Sequence, residues 1–251
     1  MNRLMIGTFV LVLGACSATK TSSPKQKILF VVSNAHYYGS SDINTANHFA
    51  EIVFAYDVFE KEGFEVDFVS PYGGAIPLGY IWSDTLLMRY LYREDFMNKL
   101  ERTIAPSLVS AEEYQAIFYA GGGAAMYEVP TNEAIQKIAI DIYEKQQGLI
   151  SAVCHGTAGI ANLTLQDGSY LVSGKKINGF PDLFEDKNAE YFQQFPFSIE
   201  EQVQANGGIF SYSKEGWDNY LEVDGRLITG QDPTSSASVA RAVARALQEN
   251  I

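Results

Sequence analysis

Short apolar runs that alternate with helical patterns constrain the fold of this chain most. Residues 27–33 form a continuous apolar run with several β-branched side chains, as is typical of a strand buried on both faces of a parallel sheet. Further strand-like runs lie at residues 64–70, 116–120 and 149–153. Helical patterns occupy residues 45–62 and 132–146. This alternation predicts an α/β domain with a mainly parallel sheet.

The rest of the chain is predicted to belong to the same domain. Asp224 and Gly225 form a tight turn between two predicted strands, and residues 234–248 form an Ala-rich helix. Residues 73–108 are less regular and are predicted to be an insertion that packs over one end of the sheet. With 251 residues, of which 47% are hydrophobic, the chain can bury one substantial core. We therefore predict a single domain over residues 27–251.

The N-terminal segment differs in composition from everything that follows it. Arg3 precedes an apolar stretch at residues 4–13, which is too short for a spanning helix of about 20 apolar residues. Residues 1–15 are therefore predicted to be a signal peptide. The sequence ending at Cys16 resembles the bacterial lipobox, so Cys16 is predicted to be lipidated and residues 16–26 to be a flexible tether. The alternatives are an ordinary signal peptide with an incidental Cys16, or an uncleaved anchor.

These N-terminal features predict a location for the protein. They indicate an exported bacterial lipoprotein on the periplasmic or cell-surface side of a membrane, which it contacts through its lipid anchor only.

Charge and cysteine content restrict the partners of the chain. It carries 18 Lys and Arg residues against 30 Asp and Glu residues, a formal net charge of −12. No basic stripe is visible, and such a surface repels phosphate backbones, so no nucleic-acid partner is predicted. With Cys16 acylated, the only other cysteine, Cys154, has no partner for an internal disulfide and is a free thiol.

Cys154 stands where a strand is predicted to end and a helix to begin. The apolar run at residues 149–153 stops at this cysteine, and small residues follow it. This is the pattern of a nucleophile elbow, where the unpaired N–H groups and positive dipole end of the helix favour a thiolate. A reactive cysteine is the leading hypothesis, and a buried structural cysteine is the alternative.

Three features are candidates to complete a site around Cys154. His155 is its immediate neighbour, three glycines at residues 121–123 follow a predicted strand, and Glu51 lies in an apolar helical stretch. Each has a structural alternative: a solvent-facing histidine, an ordinary tight turn and a surface acid, respectively. A partly buried Glu51 has a raised pKa and can hold a proton that it shares with a nearby sulfur.

Several motifs together resemble a known family. They lie at residues 30–33, 51, 61–70, 121–122, 152–156, 174–180 and 224–233. The combination resembles the glyoxalase III and heat-shock chaperone branch of the PfpI superfamily, from about residue 27 to the C terminus. The resemblance implies an α/β, flavodoxin-like three-layer sandwich related to class I glutamine amidotransferase domains, with the nucleophile on a strained elbow. Relatives of this kind are commonly homodimers.

The resemblance also implies roles for individual residues. It makes Cys154 the nucleophile, His155 its partner, Glu185 the acid that orients the histidine, and Glu51 the glutamate that hydrogen-bonds the thiol. Backbone N–H groups around Gly122, Gly123 and His155 would form an oxyanion-binding pocket.

The function that the resemblance implies is a glutathione-independent glyoxalase, a lyase acting on methylglyoxal or a similar small 2-oxoaldehyde. The Cys154 thiolate would attack the aldehyde carbon, and Glu51 or His155 would move a proton through an enediol before water releases lactate. No metal or organic cofactor is predicted. His36 and His48 are interpreted as loop and helix residues, because they are too few and too isolated to form a metal site.

Two other functions can use the same elbow. One is a stress-related holdase chaperone in which Cys154 senses oxidation and the aromatic residues of 191–197 line an apolar groove, although such stretches are more often core or dimer contacts. The other is a Cys–His amidase or peptidase, which predicts an acyl-enzyme with amide probes. Loss of Cys154 would abolish turnover in an enzyme but leave the suppression of aggregation by a chaperone largely intact.

Overall fold

Apolar strands form the centre of the protein, which we describe from a computed structural model covering residues 26–249. The strands are β1 (Lys27–Val31), β2 (Asn47–His48), β3 (Glu65–Val69), β4 (Leu78–Gly79), β5 (Tyr114–Tyr119), β6 (Leu149–Val153), β7 (Lys176–Ile177), β8 (Ile209–Phe210), β9 (Leu221–Asp224) and β10 (Leu227–Gly230). Six of them form one sheet in the order β3-β1-β5-β6-β10-β9. Neighbouring strands in this sheet are parallel, except that β9 pairs antiparallel with β10.

Helices cover both faces of the six-stranded sheet. They are α1 (Phe49–Lys61), α2 (Thr85–Leu91), α3 (Glu94–Glu101), α4 (Glu133–Ile140), α5 (Ala158–Ala161), α6 (Glu190–Gln193), α7 (Ile199–Ala205) and α8 (Ser236–Gln248). One apolar core contains α1, α2, α3 and α8, and a second contains α4, α5 and α7 on the other face. The five parallel strands follow the flavodoxin-like order. The predicted α/β three-layer sandwich with a mainly parallel sheet is therefore confirmed.

Successive side chains of the strands point alternately into the two apolar cores. In β1, Phe30 stacks on Phe118 of β5 with ring centroids 4.6 Å apart and meets Phe59 of α1 at 5.8 Å. Its neighbour Leu29 points to the opposite face, where Ile117 is also buried. Successive residues of a strand face opposite sides of a sheet, so a strand covered on both sides is apolar along most of its length.

The predicted strands agree with the structure better than the predicted helix ends. Strand β6 has the predicted bounds, whereas the helix expected from residue 45 begins only at Phe49. Residues 47–48 pair with β4 instead, and His48 caps the helix. The helix expected over residues 132–146 is regular only in α4 and continues as a single π-helical turn, Asp141–Lys145.

The insertion at residues 73–108 lies mostly beside α1 rather than over one end of the sheet. Its helices α2 and α3 bury Leu87, Tyr90 and Phe96 in the same core as Phe30. The part around β4 reaches the carboxyl edge of the sheet, where Tyr80 stacks on His48. The end of the insertion also reaches this edge, where Ile104 pairs with the end of β3. The apolar positions of the two helices explain this placement, because they need the α1 face for burial.

The carboxyl ends of the central strands bring distant parts of the chain together. Strand β5 leads into Gly121 and β6 leads into Cys154, and the strand order reverses between β1 and β5. In open α/β sheets, such a reversal opens a crevice outside the carboxyl ends of the strands.

The N-terminal predictions concern residues that the structure does not describe. The predicted signal peptide, Cys16 and nearly all of the predicted tether lie outside residues 26–249. Between residues 26 and 249, no helix combines the length and apolar content needed to cross a membrane.

Candidate active site

Cys154 occupies a strained turn at the end of β6. Its φ of 57° lies in the left-handed region, which costs energy for any residue other than glycine. A short 3-10 turn over Cys154–Thr157 follows and leads into α5. A Cβ atom at Gly156 would collide with the carbonyl oxygen of Tyr119, so the turn needs glycine here. The predicted elbow is therefore present, although only a short helix follows it.

A chain of three side chains links the sulfur to a buried carboxylate. The Sγ atom of Cys154 lies 3.4 Å from Nδ1 of His155, and Nε2 of His155 lies 2.7 Å from Oε1 of Glu185. The other oxygen of Glu185 accepts a hydrogen bond from the hydroxyl of Tyr191 at 3.2 Å. Phe180 stacks on the His155 ring at 4.9 Å. The structure therefore brings together the three residues that the sequence proposed for the triad, in the order thiol, imidazole, acid.

Glu51 lies against the other side of the thiol and is completely buried. Its Oε2 accepts a hydrogen bond from the N–H of Gly121 at 2.7 Å. Its Oε1 makes no hydrogen bond among residues 26–249, and Nδ1 of His48 lies 4.0 Å from it. Cys154 is in hydrogen-bonding contact with the Glu51 carboxyl group. Burial raises the pKa of Glu51 to about 8, so the carboxyl group keeps its proton at neutral pH and can offer it to the sulfur.

The elbow alone predicted surroundings that favour a thiolate at Cys154. The surroundings in the structure act on the ionisation of the thiol in both directions. The side chain is 3% exposed, and burial together with the negative charge of ionised Glu51 raises the pKa of the thiol well above its usual value. The backbone N–H of His155 acts in the opposite direction by donating to the sulfur. Because a thiolate and a Glu51 carboxylate repel each other in this buried site, the sulfur ionises most easily while Glu51 is protonated.

A cavity of about 450 Å³ opens above the sulfur. Most of its wall is aromatic, with Tyr38, Tyr80, Phe180, Phe184, Tyr191, Phe195 and Trp217 around Cys154, His155 and Glu185. Tyr191 and Phe195 belong to the aromatic stretch at residues 191–197, which thus contributes to the cavity wall. A mostly apolar cavity with a few convergent polar groups is typical of a small-molecule site.

The two glycines proposed for the oxyanion pocket differ in their surroundings. Gly122 lines the cavity, and with a φ of 95° it lies so close to the preceding loop that an added Cβ would be 2.5 Å from the backbone nitrogen of His48. Gly123 does not line the cavity, and a Cβ atom there would collide with the hydroxyl of Tyr38. Of the two proposed glycines, only Gly122 therefore lies in the wall of the cavity that contains Cys154.

Several residues of the cavity wall were not assigned to the site from the sequence, among them His48 and Tyr80. His48 was interpreted as a helix residue, but it is the N-cap of α1 and lines the cavity. Tyr80 comes from the insertion and stacks on it with ring centroids 4.4 Å apart. The spacing of three residues between His48 and Glu51 could have indicated a shared helix face, whereas no local signal places Tyr80 here.

No group of three or more metal-ligating side chains occurs among the residues that the structure describes.

Comparison with known proteins gives a consistent picture. Residues 45–246 match the sequence profile of the DJ-1/PfpI family. The glutathione-independent glyoxalase HSP31 of Saccharomyces cerevisiae is 31% identical over 233 residues, which are 87% of this chain and 96% of that protein. The crystal structure of glyoxalase III from Candida albicans has a TM-score of 0.78 at 27% identity and covers 88% of this chain and 97% of its own. The X-ray structure of the 24 kDa rapid encystment protein of Francisella tularensis has a TM-score of 0.82 at 28% identity. The match covers 88% of this chain and 99% of that protein's chain.

The comparisons contradict the predicted location. The curated relatives, matched over most of their length, are glyoxalases of Saccharomyces cerevisiae, Schizosaccharomyces pombe and Candida albicans, and none of these three is named as an exported or lipid-anchored protein. The prediction of an exported bacterial lipoprotein anchored through Cys16 is therefore wrong. It rested on a short apolar run and four residues ending in cysteine, a pattern with far less information than an alignment over 233 residues.

Proposed function

Because this chain belongs to the DJ-1/PfpI family and aligns with glyoxalases over most of its length, we propose that it is a glutathione-independent glyoxalase. It converts a small 2-oxoaldehyde such as methylglyoxal to the corresponding 2-hydroxy acid. The observation that carries this proposal is the Cys154 sulfur in a cavity with a mostly aromatic wall, between the protonated carboxyl of Glu51 and the imidazole of His155.

The first step makes a bond between carbon and sulfur. The thiol proton passes to Nδ1 of His155, 3.4 Å away, and the resulting imidazolium is stabilised by Glu185. Protonated Glu51 and the N–H of His155 stabilise the thiolate. The thiolate attacks the aldehyde carbon, C1. The aldehyde oxygen takes the proton from His155, which gives a hemithioacetal. The N–H groups of Gly122 and His155 are the candidate donors to this oxygen as it gains charge.

The next steps move a proton between the two carbons of the substrate. His155, neutral again after the first step, removes the C1 proton and passes it to the C2 oxygen, which gives an enediol. The protonated Glu51 carboxyl then delivers its proton to C2. His155 takes the hydroxyl proton at C1 and returns it to Glu51, which completes a thioester of the 2-hydroxy acid on Cys154. Water hydrolyses this thioester and restores the thiol, so the net reaction adds one water molecule and needs no external oxidant or reductant.

The burial of Cys154 favours a small substrate over a peptide. The side chain is 3% exposed, and aromatic rings line the cavity above it on several sides. A peptide would have to insert its backbone between these rings, whereas a three-carbon aldehyde fits inside.

Glutathione-free consumption of methylglyoxal with detection of lactate tests the proposal. We expect the full-length wild-type protein to turn over methylglyoxal and Cys154→Ala to lose at least about 10³-fold in kcat/KM, because the nucleophile is gone. The matched control is Cys16→Ser, which removes the only other cysteine and should keep full activity. Absence of turnover in the wild type, or equal turnover in Cys154→Ala, would contradict the proposal.

The proposal extends to the organisation of the protein. We take residues 27–251 to be a single domain, which is supported by the two cores that share one sheet. Membership of the family supports a homodimer as the assembled form.

A further inference from the structure

His48 holds a defined tautomer because of its place at the start of α1. As the N-cap residue, it uses Nδ1 to accept a hydrogen bond from the backbone N–H of Glu51 at 3.3 Å. A ring nitrogen that accepts a hydrogen bond carries no proton, so a neutral imidazole in this position must carry its proton on Nε2.

The surroundings of His48 keep it neutral and fix its orientation. The residue is 7% exposed, and burial together with the positive charge of His155 lowers its pKa to about 3. Tyr80 stacks on the ring with an interplanar angle of 5°, and the edge contact with Trp82 is 6.1 Å between centroids. Nε2–H is thus a neutral donor in a fixed direction across the whole range near pH 7.

This donor belongs to the same cavity as the nucleophile. His48 lines the cavity together with Cys154, His155 and Gly122. Among residues 26–249 no side chain or carbonyl group accepts a hydrogen bond from Nε2. Nε2 is also absent from the set of fully buried polar atoms that lack a hydrogen-bond partner. A donor that the described residues leave unused, on a ring that lines the cavity, is available to a bound molecule.

A 2-oxoaldehyde brings two oxygens into this site, and only one has a donor assigned so far. The C1 oxygen develops charge when the thiolate attacks, next to the N–H groups of Gly122 and His155. The C2 oxygen develops charge later, when the C1 proton is removed and the electron pair moves toward the enediolate. Donors that are in place before the charge appears lower the barrier of such a step most.

We infer that His48 is a further catalytic residue, whose Nε2–H donates a hydrogen bond to the C2 oxygen of the bound 2-oxoaldehyde as the enediolate forms. The inference rests on the proposed glyoxalase function. His48 makes and breaks no covalent bond in this role, and it keeps its proton throughout. Tyr80 is a positioning residue that acts through the His48 ring.

Two substitutions separate this role from the structural ones. His48→Asn keeps a side-chain oxygen that can cap the N–H of Glu51, and His48→Phe keeps a ring that Tyr80 can stack on. Both lack the Nε2–H donor. We expect both variants to lose about 10²- to 10³-fold in kcat for methylglyoxal, with a much smaller change in KM. His36→Asn, at an exposed histidine, is the matched control and should retain wild-type kcat.

An isotope effect and a thiol assay show which step has slowed. With methylglyoxal deuterated at C1, the variants should show a larger deuterium isotope effect on kcat than the wild type, because proton removal becomes limiting. The rate of Cys154 alkylation by iodoacetamide should stay within about twofold of wild type, since His48 is not a hydrogen-bond partner of the sulfur.

The possible outcomes distinguish the two proposals. If the wild type turns over methylglyoxal and either variant keeps kcat within threefold, the role of His48 is refuted while the glyoxalase function stands. A parallel loss of alkylation rate and kcat would also refute it, because His48 would then act by placing Cys154 or Glu51. If the wild type itself is inactive, the glyoxalase function fails, and the role of His48 falls with it.

Discussion

Glu51 is a buried carboxyl group whose protonation makes the stability of the protein depend on pH. Its pKa is about 8 in the folded protein, against 4.5 for an ordinary glutamate. The folded state therefore binds this proton more tightly than the unfolded state does. The stability that this tighter proton binding gives to the folded state is fully present below pH 4.5 and is lost as the pH rises toward 8. Glu51→Gln has nearly the same shape but does not titrate. We therefore expect its free energy of unfolding, relative to wild type, to increase by up to about 1.4 kcal/mol for each pH unit between 4.5 and 8.

Urea denaturation at several pH values in this window measures that difference. Glu112→Gln, which changes an exposed glutamate, is the control and should show no such trend. A constant difference between Glu51→Gln and wild type from pH 5 to 8 would mean that Glu51 is already ionised at pH 5 in the folded protein. Its role as a proton donor to the Cys154 sulfur would then be excluded.

The junction between β6 and α5 places the sulfur at the cost of backbone strain. Cys154 has a φ of 57°, a conformation that costs any residue with a Cβ about 1 kcal/mol or more but costs glycine almost nothing. We therefore expect Cys154→Gly to be more stable than Cys154→Ala by about 1 kcal/mol, or about 2–4 °C in Tm. Ala152→Gly, inside β6, is the control and should destabilise the protein. Calorimetry of the three variants decides the matter, and a Cys154→Gly variant less stable than Cys154→Ala would show that the turn carries no strain.

The same two elements show what the sequence could and could not predict. Strand β6 was placed correctly because a buried strand is mostly apolar, and the turn at Cys154 followed from where that run stops. The start of α1 was placed four residues too early, because helical periodicity says nothing of the pairing between β2 and β4. His48 therefore looked like an internal helix residue, although it is the cap that faces the cavity. Trp217, on the far wall, depends on loop packing that no local pattern encodes.

The insertion and the sheet share one apolar core, so the described part of the protein should unfold as a unit. Leu87 and Phe96 of the insertion pack in the core that contains Phe30 of β1, and separating them would expose large apolar surfaces on both sides. The chain has two tryptophans, Trp82 in the insertion and Trp217 in the loop before β9. Each can report on its own segment once the other is replaced.

We expect the urea transition of Trp82→Phe, followed by the fluorescence of Trp217, to coincide with its transition by far-UV circular dichroism. We expect the same agreement for Trp217→Phe, in which Trp82 is the fluorescent reporter. Coincidence of probes is the expected result for a cooperative two-state domain. Each variant is the control for the other, because each loses one tryptophan near the cavity and keeps the other. The two remaining reporters lie in different segments of the chain. If the Trp82 signal moved at a lower urea concentration than the circular dichroism, the insertion would unfold on its own. Residues 27–251 would then comprise two cooperative units, and Tyr80 would leave His48 before the nucleophile elbow is lost.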